Sequence, residues 1–297
     1  MTIGTRTITV GIDGSRASLD AADWAAREAG RRRLPLRLLH AGPNPVVPAR
    51  IPDVDVPAGR TRSALDRAAI QLSYAHPALD IIARTTDTPA VPALLAEAAE
   101  AETLVLGSRG FTGFAGFLIG SVALAVAAGA EHPVVLVRAG ELPEDERMPT
   151  VDGTPPSAAP YLPVVLGLDL DHPADDLIRY AFDTAAVRSA PLHVVHTWTL
   201  PPLRGFAPGV PLPGDTAERE DGKRNVLTST LQSWRHKFPE TPVSEQVVYG
   251  HPGHHLLKAS TRAGLLVIGR RSDEGLGRAA HSLIHHATCP VAVVPHN

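Results

Sequence analysis

"GSRGFTGFAGFLIGS", residues 107–121, holds five glycines and two serines, and Arg109 is its only charge. The β-branched, apolar "TLVL" (103–106) precedes it, and the apolar "VALAVAAGA" (122–130) follows. The order spelled is strand, bare backbone, helix. Open parallel sheets bind ligands just outside the carboxyl ends of their strands. A helix start offers unpaired N–H groups and a partial positive charge, which suit phosphate. Glycine lets backbone approach closely and adopt positive φ. Ser121 can donate to a phosphate or cap the helix. Composition alone fits a capped, tightly packed turn equally well. Two other phosphate loops are excluded. No GxxxxGK[ST] occurs, and the first strand leads into "GIDGSRAS" rather than GxGxxG.

Around this loop the chain is written twice. "ITVGIDGS" (8–15) returns as "VVLGLDLD" (164–171), "LPLRLLHA" (34–41) as "APLHVVHT" (190–197), "TLVLGSRG" (103–110) as "LLVIGRRS" (265–272) and "HPVVLV" (132–137) as "CPVAVV" (289–294). Gly11 and Gly167, Asp13 and Asp169, and His40 and His196 are each 156 apart. Gly107 and Gly269 are 162 apart, whereas Gly120 and Gly277 are 157 apart. The second copy therefore gains six residues before its fourth strand and loses five inside the glycine loop.

Strands are expected at 7–12, 35–40, 79–85, 103–107 and 133–138, with helices at 16–32, 61–75, 90–101 and 120–130. Apolar runs without alternation imply strands buried on both faces, hence an α/β fold. Each domain is then an open five-stranded parallel sheet with helices on both faces. The domains are expected at 1–140 and 163–297, joined by a proline-rich linker at 141–162, with further proline-rich loops at 42–60 and 199–221.

Length agrees with two domains, since 297 residues divide into halves that each sustain one core. A net charge of -3 argues against a polyanion binder. The single cysteine, Cys289, excludes an intrachain disulfide and fits a reducing, cytoplasmic setting. The amino terminus lacks the basic-then-apolar pattern of a signal peptide. Residues 110–130 carry no charge and are long enough to span a bilayer, but their glycines favour a loop feeding a buried helix.

Gly107, two residues, Gly110, nine residues and Gly120-Ser121 make the spacing GxxG-x9-G[ST]. With "VGIDGSRASLDAADWAAREAGRRRLPLRLLHA" (10–41), this pattern resembles the ATP-binding type of the universal stress protein family, and the resemblance covers both halves. The resemblance implies a 3-2-1-4-5 strand order and ATP, in some members with Mg²⁺, as cofactor. It places Asp13 against adenine or ribose, with Gly11 and Ile12 beside it, and Ala41 where backbone meets the base edge. Gly107, Gly110, Gly120, Ser121 and Val122 correspond to the phosphate and ribose cradle. Arg109 either approaches phosphate or is simply solvated. Phe111, Phe114 and Phe117 read as loop packing. The resemblance also implies that the two domains pair through their fifth strands and that two chains can form a homodimer.

The second copy keeps Asp169 and Gly269 but has Ser272 for Gly110 and Arg278 for Ser121. The expectation is one intact nucleotide site, in the first domain. The competing reading lets Arg270, Arg271 and Arg278 replace the missing amides. His281 and His285 share one helix face, yet a closed zinc site needs four ligands, so no metal site is expected. No HExxH, GxSxG or kinase signature occurs. The expected role is an ATP-binding stress-response regulator. A nucleotide-independent scaffold and a slow ATPase are the alternatives.

Overall fold

The computed structural model describes residues 6–42, 64–108, 120–150, 158–199 and 216–297. It divides into two compact units, the first ending at Glu141 and the second starting at Leu142. The first unit runs β1 (Ile8–Gly11), α1 (Arg16–Arg32), β2 (Leu36–Ala41), α2 (Ala64–Ala75), β3 (Ile81–Thr86), α3 (Ala90–Glu100), β4 (Thr103–Ser108), α4 (Ser121–Gly129) and β5 (Val134–Arg138). The second runs β6 (Val164–Gly167), α5 (Asp175–Arg188), β7 (Leu192–Trp198), α6 (Thr216–Lys237), β8 (Val243–Tyr249), α7 (Pro252–Ser260), β9 (Leu265–Arg271), α8 (Arg278–His286) and β10 (Val291–His296). In the first unit β1 pairs in parallel with β2 and β4, β2 with β3, and β4 with β5, which is the order 3-2-1-4-5. The second unit repeats this order with β8, β7, β6, β9 and β10.

The central strands are buried on both faces, as their unbroken apolar runs require. Ile8, Val10, Leu104, Val105 and Val135 are fully inaccessible. Helix α1 fits this sheet because its inner face is nearly all alanine. Ala17, Ala21, Ala22, Ala25, Ala26 and Ala29 are buried there with Trp24. Small side chains bring the helix backbone onto the sheet. A Cβ on Gly107 would lie 2.5 Å from the carbonyl carbon and oxygen of Ala17, closer than atoms can approach.

The two first helices begin differently. Ser15 caps α1 by accepting the Ser18 N–H at 3.2 Å. In the second unit the residue matching Arg16 is His172, which precedes Pro173. The proline ring pushes His172 away from helical backbone. Helix α5 accordingly starts three residues later, and its cap residue, Ala174, makes no side-chain cap bond. Both helices end on a non-glycine residue in the left-handed region, Arg33 at φ 55° and Ser189 at φ 51°, again 156 apart.

The described parts of the expected linker carry local hydrogen-bonded structure. Pro143–Glu146 forms a 3-10 turn, and Arg147 bridges antiparallel to Tyr161. The Met148 N–H donates to Pro160 O at 2.8 Å and the Leu162 N–H to Glu146 O at 2.9 Å. The Arg147 guanidinium lies 3.8 Å from the Tyr161 ring centroid and donates to Tyr161 Oη at 2.7 Å. The expected loop at 199–221 is too long, because α6 begins at Thr216. The other expected proline-rich loop, 42–60, lies outside the described residues from 43 onward.

No helix among the described residues is long and apolar enough to cross a membrane. Of the uncharged stretch 110–130, the described residues 120–130 include the nine residues of α4.

Close packing at Gly107 gives a stability test. Gly107→Ala is expected to cost about 1–3 kcal/mol, because the added methyl meets backbone that cannot swing aside. Gly30→Ala, within α1 and with open space around its Cβ position, is expected to stabilise by about 0.5–1 kcal/mol. Urea denaturation of both variants reads the two opposite signs.

Candidate functional site

The carboxyl ends of β1, β2 and β4 form one rim, and a concavity of about 170 Å³ opens there. Gly11, Ile12, Asp13, Ala41, Gly107, Gly120, Ser121 and Val122 all line it. These are eight of the ten residues expected from sequence. The other two, Arg109 and Gly110, lie outside the described residues, as do Phe111, Phe114 and Phe117.

Each side of the concavity has a local cause. Helix α4 supplies free donors. Its first helical hydrogen bond runs from Leu124 N–H to Gly120 O at 3.1 Å, and Gly120 provides no side-chain cap. The N–H groups of Ser121, Val122 and Ala123 therefore precede the helical ladder. A Cβ at Gly120 would have nothing within 4 Å, so the rim is open there. These amides, with the partial positive charge of the helix start, fit an anionic group.

The opposite lip is the Asp13–Ser18 turn. Asp13 Oδ1 accepts the Ser15 N–H at 2.9 Å. The Ser18 hydroxyl donates to Ser15 O at 2.9 Å and accepts the Asp13 N–H at 3.4 Å. Burial by itself pushes the Asp13 carboxyl up, but hydrogen bonds from Ser15 and Ser18 outweigh it and hold the group below the usual carboxylate range. Asp13 thus shapes its own turn and also presents a carboxylate at the rim. A clamp that the site assignment missed is His40. Its Nδ1 meets Ile12 O at 2.7 Å and so donates to it, tying the end of β2 to the end of β1. His196 and Leu168 repeat this bond at 3.0 Å. The walls also include Ser15, Ser18, Leu39, Ala90, Leu94 and Leu106. For the leucines the sequence holds no signal, since a wall leucine reads like a core leucine. For the serines the "DGSRAS" cap pattern was available.

The second unit carries a rim concavity at the matching positions, and at about 370 Å³ it is larger. Its lining keeps Gly167, Leu168, Asp169, Gly269 and Gly277. The delayed start of α5 removes the turn that closes on Gly107 in the first unit. The space beside Gly269 is taken instead by side chains, the His296 ring with Nε2 2.6 Å from the Cβ position and Leu177 of α5 at 3.0 Å. The three arginines do not reproduce an amide cradle. Arg271 is paired with Asp273 at 3.3 Å and with Glu274 at 3.2 Å. Arg270 is 5% exposed, and Arg278 is not among the lining residues. Two carboxylates, Asp169 and Glu274, line the concavity together with Arg270 and Arg271.

His281 and His285 do sit side by side on α8, ring centroids 4.4 Å apart. Among the described residues no group of three or more histidine, cysteine or acidic side chains is placed to hold a metal ion.

Fold, order and rim define a doubly wound α/β domain present twice. The sequence profile of the universal stress protein family matches residues 4–138 and again 160–295. The chain belongs to that family, with two domains in tandem. A universal stress protein of Mycobacterium tuberculosis is 28% identical over 312 residues, spanning 96% of this chain and 94% of that protein. The crystal structure of a universal stress protein from Archaeoglobus fulgidus superimposes with a TM-score of 0.64 at 15% identity, covering 99% of this chain and all of that one. A universal stress protein solved in complex with cAMP is 29% identical and covers 46% of this chain, with a TM-score of 0.34.

The lowered Asp13 carboxyl fixes a pH dependence. Its contribution to stability is fully present above the ordinary aspartate pKa of about 3.9 and disappears as pH falls through the lower folded-state value. Wild type is expected to exceed Asp13→Asn in stability at neutral pH, and the gap is expected to close in strong acid. Urea denaturation at neutral pH and along an acid series measures it.

Proposed function

We propose that the first unit binds ATP at its rim and that the protein is a nucleotide-binding stress-response regulator rather than an efficient enzyme. The observation that carries this reading is the convergence of eight expected residues on one concavity. Loops from three strands and the start of one helix meet there. Adenine and ribose would lie between Asp13 and Ala41, against Leu39 and Leu94. The phosphates would run toward the amides of Ser121 and Val122, with Mg²⁺ as the nucleotide's own counter-ion. That arrangement matches a planar apolar base and a polyanionic tail with the chemistry each end requires.

The reading assigns the triphosphate to the first unit alone. In the second unit Arg271, which lines the rim, is already paired with Asp273 and Glu274, so it is not free to hold a polyanion. The loop that carries Gly110 in the first unit is five residues shorter there, and Ser272 and Arg278 replace Gly110 and Ser121. The reading places the protein in the cytoplasm.

Titration of the full chain with Mg·ATP tests the assignment. Asp13→Ala and Ser121→Ala are each expected to weaken binding roughly 10- to 100-fold, the value of one hydrogen bond to a charged group. Asp169→Ala is expected to leave the affinity unchanged. Equal losses from Asp13→Ala and Asp169→Ala would refute the single-site reading. Mass spectrometry of nucleotide that co-purifies identifies the ligand directly.

A further inference from the structure

The two copies also differ away from the rim, on the strand face beneath α3 and α7. In the first copy Glu97 of α3 is 8% exposed and holds two arginines from the strands below. Arg37 of β2 donates to its Oε2 at 2.7 Å, and Arg84 of β3 to its Oε1 at 2.6 Å. The second copy changes all three residues. His193 stands for Arg37, Gln246 for Arg84 and Ala259 for Glu97. Packing and register fix this correspondence. Leu94 of α3 lies 3.2 Å from the Cβ position of Gly11, and Leu256 of α7 lies 2.8 Å from that of Gly167. Leu39 pairs with Arg84 as Val195 pairs with Gln246.

The carboxylate has gone and nothing has grown into its place. A concavity of about 410 Å³ opens there, within the size range of small-molecule sites. Its floor is apolar, with Pro163, Val165, Val248 and Ala259. Its mouth carries Lys258 and Arg262, where the first copy has Ala96 and Glu100. Both are exposed, and neither makes a side-chain hydrogen bond or ion pair among the described residues. No carboxylate is among the described residues that line the groove. One wall is fixed by His193, whose Nδ1 lies 2.9 Å from Ser244 Oγ and whose Nε2 lies 3.1 Å from Gln246 Oε1.

We propose that this groove is a second ligand site, taking a small organic carboxylate with an apolar body. The body lies over Val165, Val248 and Ala259, in the space that Glu97 fills in the first copy. The carboxylate sits at the mouth between Lys258 and Arg262. A monoanion suits this mouth better than a phosphate. Lys258 belongs to the last turn of α7, and Arg262 lies just beyond it. The partial negative charge of a helix end penalises a second charge there. The groove is lined entirely by side chains of the second unit and is independent of the nucleotide reading.

Calorimetric titration of the full chain with octanoate, octanol and inorganic phosphate tests the proposal. Octanoate is expected to saturate one site, with octanol and phosphate each at least about tenfold weaker. The double variant Lys258→Gln/Arg262→Gln removes two exposed charges and is expected to weaken octanoate at least about tenfold with the melting temperature unchanged. Ala259→Glu restores the internal acid and is expected to abolish octanoate binding while the circular dichroism spectrum stays that of the wild type. The proposal is overturned by absence of saturation up to about 10 mM octanoate. It is equally overturned by octanol or phosphate binding as tightly as octanoate, or by unchanged octanoate affinity in the double variant.

Discussion

The contact between the first turn of α1 and Gly107 sets the geometry of the first unit. A helix backbone can touch a strand only where the strand has no side chain and the helix has very small ones. The 2.5 Å separation between the Gly107 Cβ position and Ala17 shows how little space is left. The alanine face of α1 meets the same requirement. The rim lies directly above. Its two lips are the Asp13–Ser18 turn, which starts α1, and the Gly120–Ala123 turn, which starts α4. The same glycine thus packs against α1 and lines the rim.

The second copy shows what happens when that contact is given up. Pro173 denies helical backbone to its predecessor, α5 starts late, and the turn that would press on Gly269 does not form. A histidine ring from the end of β10 occupies part of the opening. The concavity that results is wider than its counterpart and differently charged. A short glycine loop therefore does not imply a closed rim. The uncapped start of α8 still faces the concavity through Gly277, Ala279 and Ala280, and side chains such as His296 supply other walls.

Duplication leaves a record of charge as well as shape. Glu97, nearly buried, pairs with two strand arginines in the first unit. In the second unit the acid and both arginines are gone, and new cations stand at the edge. Losing all three together avoids an uncompensated buried charge, which is the costly outcome. What remains is a hollow with a positive mouth.

Much of this was legible in the residues. Unbroken apolar runs fixed parallel strands, and α1 falls at 16–32 as its alanine spacing requires. The repeat offsets identified two copies and located the shortened loop. Spacing of glycines pointed to the rim, because backbone conformation is a local property that sequence carries directly. Leu39 and Leu94 were invisible as site walls, because facing a cavity and facing a core demand the same side chain. The bridge between Arg147 and Tyr161 within the linker had no local signal, because the two residues meet across fourteen positions of chain. The groove at Ala259 was hidden for a related reason. An alanine on a helix says nothing until β7 and β8 bring His193 and Gln246 beneath it. Local conformation and periodicity belong to the sequence, whereas empty space belongs to the tertiary structure, since a cavity is defined by residues that only folding brings together.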